Sequence, residues 1–377
     1  MNLKTMLIGA LLFAGAVSAV ETNPLSDREE ISQRIVTISQ NSGQVRRPTL
    51  MNMTWREFRR NMPEGRIILC DGEIRMCSDD LIRLDMSRSR LEFPNLFHLI
   101  ITGWGDSEER TSQDLKNRLS ILFSEGNFQN LSSFSYFGNV LDLPAEIENL
   151  EHLTYMELLG ADKLVLPKEI GKLEHLTRLV MANSTITAIP AEVGNLKNLK
   201  ILDLGENNLT RFPNEIWRLS NLSLLDVPGN KFVRLPDEIG NLIYLSILNL
   251  SHNELVDLPE EMWNLVNLNI LNLSHNKLTS IPPGIENLAY LEDFDIRDNR
   301  LTTLPRELGF LEYLEFLAVN DNDFEEIPSN IFELPLLKTL VINEDLLRYI
   351  RKNRIYSISM WNNEYTVRLN RLDLQPR

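Results

Sequence analysis

Residues 199–282 decide how the whole chain reads. From Leu199 the sequence runs LKILDLGENNLTRFPNEIWRLSN, from Leu222 LSLLDVPGNKFVRLPDEIGNLIY, and from Leu245 LSILNLSHNELVDLPEEMWNLVN; from Leu268 the pattern begins again. Each line is 23 residues long and the lines superimpose without a gap. Asn207, Asn230, Asn253 and Asn276 fall in one column, and Pro213, Pro236, Pro259 and Pro282 in another. A fixed period of this size marks a solenoid, in which each unit buries its apolar side chains only by stacking on its neighbours.

Working outward, the proline beat is steady from Pro144 through Pro167 and Pro190 to Pro305 and Pro328. Within a unit, Leu248 and Leu250 alternate as in a strand and point to one side. The asparagine follows the strand, where a buried turn without ladder partners needs a side chain that both donates and accepts. Proline then ends extended pairing and presets φ for a helical turn. A glutamate commonly stands two residues later (Glu192, Glu215, Glu238, Glu261), favourable near a helix N-terminus. Ile239 and Leu242 return an apolar face from the outer side. Ala161 and Ser184 occupy the asparagine column in the earliest units, where looser packing is expected.

The pattern LxxLxLxxNxLxxLPxxI resembles the leucine-rich repeat family. The resemblance covers 131–342 and implies an α/β solenoid: an arc of about ten coils, a parallel sheet on its concave face, and short helices or turns on its convex face. It also implies that Asn207, Asn230, Asn253, Asn276, Asn299 and Asn322 form a structural ladder tying adjacent coils together. The usual role of such a fold is non-catalytic protein binding through the concave face.

Around the repeats (127–342) the organisation reads as follows. Residues 1–19 have the layout of a secretory signal peptide: one charge at Lys4, an apolar run from Met6 to Val17, and small residues before cleavage after Ala19. Residues 20–65 read as a partly mobile segment, with a short amphipathic helix over 27–40 carried by Ile31, Ile35 and Ile38. Residues 66–126 read as an N-terminal cap, with β-like stretches at 66–69 and 98–102 and a helical face made by Leu115, Leu119, Leu122 and Phe123. Residues 343–377 read as a C-terminal cap, a helix over 345–352 followed by a hairpin around Asn362-Asn363. The exported context (periplasm, cell surface or secreted) would let Cys70 and Cys77 close a disulfide across the Asp71-Gly72 turn; two unpaired thiols are the alternative. No second Cys pair or nearby His completes a zinc site.

The chain is 43% hydrophobic and 24% charged, with a net charge of −15. Residues 127–342 hold 32 acidic and 15 basic side chains. That balance argues against nucleic acid, whose affinity comes from Lys and Arg neutralising phosphates, and suits solubility or a protein partner with a basic patch. No segment beyond the signal reaches membrane-spanning length, and nothing implies a cofactor.

Residues 23 apart become neighbours in a solenoid, so functional rows can be read directly. Between the inward leucines a row runs through Asp203, Asp226, Asn249, Asn272 and Asp295; two residues earlier a second row runs through Ile201, Leu224, Ile247 and Ile270. Both are expected on the solvent side of the sheet, an apolar row rimmed by a polar one, and these nine residues are the candidate contact surface. His252 with His275, and His152 with His175, share the same period. A metal could bridge the first pair, but no carboxylate is expected at its level, where the neighbouring coils bring Gly229 and Asp298, and copying of the repeat explains the spacing. No GxSxG, HExxH, P-loop or GxGxxG stands in a usable context, so no enzyme is expected. Two further readings remain: a self-associating structural or surface spacer, and an exported effector acting on host proteins.

Overall fold

The computed structural model describes residues 97–343 except 104–107, 125, 139, 162 and 325, together with 68–70, 73–77, 346, 357–361 and 364–368. All belong to one compact unit, Ile67–Arg377. The signal peptide, the 20–65 segment and its helix, and all but Leu346 of the 345–352 helix lie outside the described residues.

In chain order the strands are β1 (Ile68–Cys70), β2 (Glu73–Cys77), β3 (His98–Gly103), β4 (Ser133–Gly138), β5 (Val140–Asp142), β6 (Tyr155–Leu159), β7 (Lys163–Val165), β8 (Arg178–Val180), β9 (Ile201–Asp203), β10 (Leu224–Asp226), β11 (Ile247–Asn249), β12 (Ile270–Asn272), β13 (Asp293–Asp295), β14 (Phe316–Ala318), β15 (Thr339–Ile342), β16 (Ser357–Trp361) and β17 (Glu364–Arg368). One α-helix, α1 (Glu108–Leu122), sits between β3 and β4. All strands except β5 and β7 join one fifteen-stranded sheet. From β2 to β15 its pairing is parallel; β1 and β17 close the two ends antiparallel. The register follows the sequence period, with Leu224 opposite both Ile201 and Ile247.

The N-terminal segment thus continues the parallel sheet: β3 pairs with β4, and α1 buries Leu115, Leu119 and Leu122 in the common core. At the other end the β16–β17 hairpin lies on β15, covering a parallel edge that would otherwise present unpaired backbone groups. In the hairpin β1–β2, Cys70 stands opposite Glu73, and Cys77 is four residues farther along β2. The side chains of Cys70 and Cys77, and with them the disulfide expectation, lie outside the described residues.

Each coil closes its back with a five-residue 3₁₀-helix, of which Asn214–Arg218 is representative. Pro213 precedes it in extended conformation (φ −65°, ψ 146°), and its carbonyl accepts from the Ile216 amide at 3.1 Å. Glu215 lies in the first turn. The 3₁₀ form rises about 2.0 Å per residue, so few residues span the back of the coil. Successive backs pack closely: a Cβ on Gly194 would collide with the backbone carbonyl of Glu215, which explains glycine in the EVGN segment. Leu199, Leu202, Leu204, Leu209, Ile216 and Leu219 from one coil are all buried against the next. At about 1.5–3 kcal/mol per buried leucine, this stacking is the main stabilising term. The looser packing expected at Ala161 shows in the turn that follows it, where Leu164 and Leu166 are only partly buried and Lys163 stands exposed in the column of Leu209. The strands beside it are not affected: Met156, Leu158, Leu176 and Leu179 are as fully buried as their central counterparts, and β5 and β7 form a second short ladder there.

Candidate functional site on the sheet face

The turn after each strand fixes what the sheet face can present. Asn253 Nδ2 donates to Val227 O in the preceding coil (3.0 Å) and to Leu250 O and Ser251 O in its own, while its Oδ1 accepts from Phe232 N (3.1 Å). Asn207, Asn230, Asn276, Asn299 and Asn322 repeat the same offsets. Just before each ladder asparagine the chain passes through the left-handed region, at Glu206, His252, His275, Asp298 and Asp321 with φ between 49° and 56°, and at Gly229. Asp, His and Gly tolerate that conformation comparatively well.

The two outward rows are set into the face, and this corrects their expected exposure. Ile247 and Ile270 are only 7% exposed, Asn249 6% and Asp295 8%; Ile201, Leu224, Asp203, Asp226 and Asn272 are half-buried. Side chains held in register at the ~4.8 Å strand spacing cover one another. The polar row is also drawn down onto the turn. Asp203 Oδ1 accepts from Gly205 N (3.0 Å), Asn249 Oδ1 from Ser251 N (3.0 Å), Asn272 Oδ1 from Ser274 N (3.0 Å) and Asp295 Oδ1 from Arg297 N (3.1 Å). Asp295 also takes the Arg297 guanidinium, with Nε donating to Oδ2 at 2.8 Å.

Asp226 breaks this series. Two residues on stands Pro228, which has no N–H to give. Asp226 Oδ1 is sealed from solvent and has no hydrogen-bond partner. Burial and the neighbouring Asp203 carboxylate push the Asp226 carboxyl up to about 7, against a hydrogen bond from the Asn249 side chain. Burial also raises Asp203, opposed by the Gly205 amide and Arg178. Farther along, burial followed by Asp295, Glu292 and Glu315 raises Asp293 to about 6. At the N-terminal end, Arg178 lies over the Tyr155 ring at 5.5 Å.

The histidine pairs are stacked, His252–His275 at 4.0 Å and 11° and His152–His175 at 6.2 Å and 25°. Asp298 does reach the first pair, with its Oδ2 2.5 Å from His275 Nδ1. Burial and His275 together lower the His252 pKa. Among the described residues, no group of three or more His, Cys, Asp or Glu could hold a metal ion, and no helix is long and apolar enough to cross a membrane.

Two features of the flank before the strands escaped the sequence reading. A groove of about 390 Å³ is lined by His152, Thr154, His175, Thr177, Asn198 and Lys200. Farther along the same turns, Ile243, Tyr244, Val266, Tyr290, Tyr313 and Leu336 stand exposed, with Tyr290 and Tyr313 rings 5.7 Å apart. The spacing carries their signal: Tyr244, Tyr290 and Tyr313 recur at multiples of the period, one residue before a core leucine. A second asparagine ladder supports this flank: Asn198, Asn221 and Asn267 each donate to a carbonyl 24 residues earlier.

Stacked 23-residue coils with strands on one side, 3₁₀-helices on the other and an asparagine in each turn define a solenoid repeat protein. A family model described as a leucine-rich repeat region matches residues 214–299, and a second leucine-rich repeat model matches 174–232. The chain is a leucine-rich repeat protein. Among solved structures, a leucine-rich repeat protein of Leptospira interrogans is similar at 26% identity and TM-score 0.51, covering 70% of this chain and 91% of that one. A TDR receptor aligns at 23% identity and TM-score 0.51, over 71% of this chain and 48% of the receptor. An internalin (inlF) from Listeria monocytogenes aligns at 16% and 0.50, over 71% and 86%. The last two share the fold alone. A comparison with curated proteins found no match.

Proposed function

We propose that this chain is an exported, non-catalytic protein-interaction module that captures a partner on the concave sheet face, around Ile201, Asp203, Leu224, Asp226, Ile247, Asn249, Ile270, Asn272 and Asp295. The observation that carries the reading is the set of in-register rows on one continuous parallel sheet, which place half-buried Ile201 and Leu224 beside carboxylates. Such a surface offers apolar area and a negative field together, and the excess of acid over base in 127–342 suits a partner with a basic patch. Ile201 and Leu224 are the contact residues to test, since Ile247 and Ile270 are already buried within the protein. The double change Ile201→Arg with Leu224→Arg is expected to abolish partner capture from the source organism's extract, with far-UV circular dichroism unchanged. Undiminished capture by a folded variant refutes the sheet-face assignment.

The exposed strip of Tyr244, Tyr290, Tyr313 and Leu336 favours a second reading, self-association along the flank. Light scattering across a concentration series separates the two. Oligomers that dissolve on Tyr290→Ser with Tyr313→Ser support the second; a monomer at all concentrations removes it.

A further inference from the structure

Four coils close the turn after the strand in the same way, with Asp203, Asn249, Asn272 or Asp295 accepting from the backbone N–H two residues on. In the coil between Asp203 and Asn249, Pro228 removes that donor, leaving Asp226 Oδ1 buried without a partner. A buried acceptor with nothing to accept is destabilising, and here it lies beside a second carboxylate, since Asp226 and Asp203 are directly opposed on adjacent strands.

We propose that Asp203 and Asp226 form a receptor for one cationic side-chain group of the partner protein, a lysine ammonium or an arginine guanidinium. The proposal rests on the sheet-face reading above and names its anchor. An ammonium or guanidinium placed over the pair satisfies two carboxylates at once, and charge-assisted bonds of this type are the strong ones. Local positive charge does not already fill the role. Among the described residues, Arg178 acts on Asp203, and the group acting favourably on the Asp226 carboxylate is the Asn249 amide. Ile201 and Leu224, half-buried one step before the two carboxylates, supply the apolar wall that the methylenes of a Lys or Arg stem need. The proton that burial holds on Asp226 competes with the cation, so binding strengthens as the pH rises through about 7.

The test uses the full chain carrying ¹³C-carboxyl aspartate, titrated at pH 8 with N-acetyl-arginine amide, N-acetyl-lysine amide and the uncharged N-acetyl-citrulline amide. The Asp203 and Asp226 carboxyl signals are expected to move together and saturably with the two cations and not with citrulline. Asp226→Asn should weaken the response at least about tenfold. Pro228→Ala returns the N–H that closes the other four turns; it should weaken the response too and bring the Asp226 pKa down toward the ordinary carboxylate range. Equal responses to arginine and citrulline overturn the receptor, as does unchanged binding in folded Asp226→Asn. If partner capture depends on Ile201 and Leu224 while the cations leave both carboxyls unmoved, the anchor is wrong and the face stands. If the cations bind as stated while capture ignores Ile201 and Leu224, the face reading fails and the receptor stands.

Discussion

The first coils and the central coils solve the same backbone problem by different means. From Asn207 to Asn322 the turn after each strand is held by an asparagine that accepts from one coil and donates to two. In the first coils Ala161 and Ser184 stand in that column. Ser184 Oγ accepts from Ala161 N and donates to Ala182 O, and the segments after Gly138 and Ala161 pair as β5 and β7. The strand leucines are equally dry in both arrangements, while Leu164 and Leu166 after Ala161 are only partly buried. What the repeat requires is therefore satisfied backbone groups in a buried turn, and asparagine is one of two ways to provide them.

Breaking the asparagine should then expose the difference. Asn253→Ala leaves Phe232 N without its acceptor and takes one of two asparagine donors from each of the Val227 and Leu250 carbonyls, which keep Asn230 and Asn276. The expected loss is about 2–3 kcal/mol, from one buried amide left unsatisfied at about 1–3 kcal/mol and two carbonyls that each lose a bond, read as a fall in urea midpoint. Ser184→Ala removes fewer bonds, and the Ala161 turn that its hydroxyl caps runs on into the β5–β7 ladder, so about 1 kcal/mol is expected. Equal losses at the two sites would show that the ladder does not substitute for the amide.

A smaller effect sharpens the contrast within the central coils. The Asp226 carboxyl titrates at about 7 in the folded chain and near 3.9 when unfolded. Between those values the native state binds more protons. The stability this group contributes is therefore complete below about pH 4 and is lost as pH rises through 7. Asp293, held at about 6, acts with the same sign. Asp226→Asn is expected to raise the urea midpoint at pH 8 and to flatten its decline between pH 5 and 8, leaving the part due to Asp293. An unchanged pH profile would mean that the carboxyl is not perturbed. The smallest effect is expected where charges pair in water: Arg234→Ala removes the exposed pair with Asp257 and should shift stability by at most about 0.5 kcal/mol.

Much of the fold was legible in advance for a particular reason. Period, inward leucines, asparagine column and proline beat are each one-residue statements that stacking merely repeats, so the register of Leu224 between Ile201 and Ile247 follows directly from a spacing of 23. The candidate site was legible only as a pair of rows. The sequence placed Asp203, Asp226 and Asn249 on one face, yet gave no measure of how deeply neighbours 4.8 Å apart bury one another. It showed Pro228 without showing that the other members of the row depend on the amide that proline lacks. Asp298 stood in the same column as His275, but whether a carboxylate touches a ring depends on side-chain rotamers.

By itself, then, the sequence determined the repeat, the strand and helical-turn positions, the buried leucines and the residues that share a face, because those follow from local periodicity. Tertiary structure alone decided which face residues stay accessible, which turn acceptors find donors, and which carboxylates hold their protons. Those properties depend on what the adjacent coil places within a few ångströms, and no single repeat contains that information.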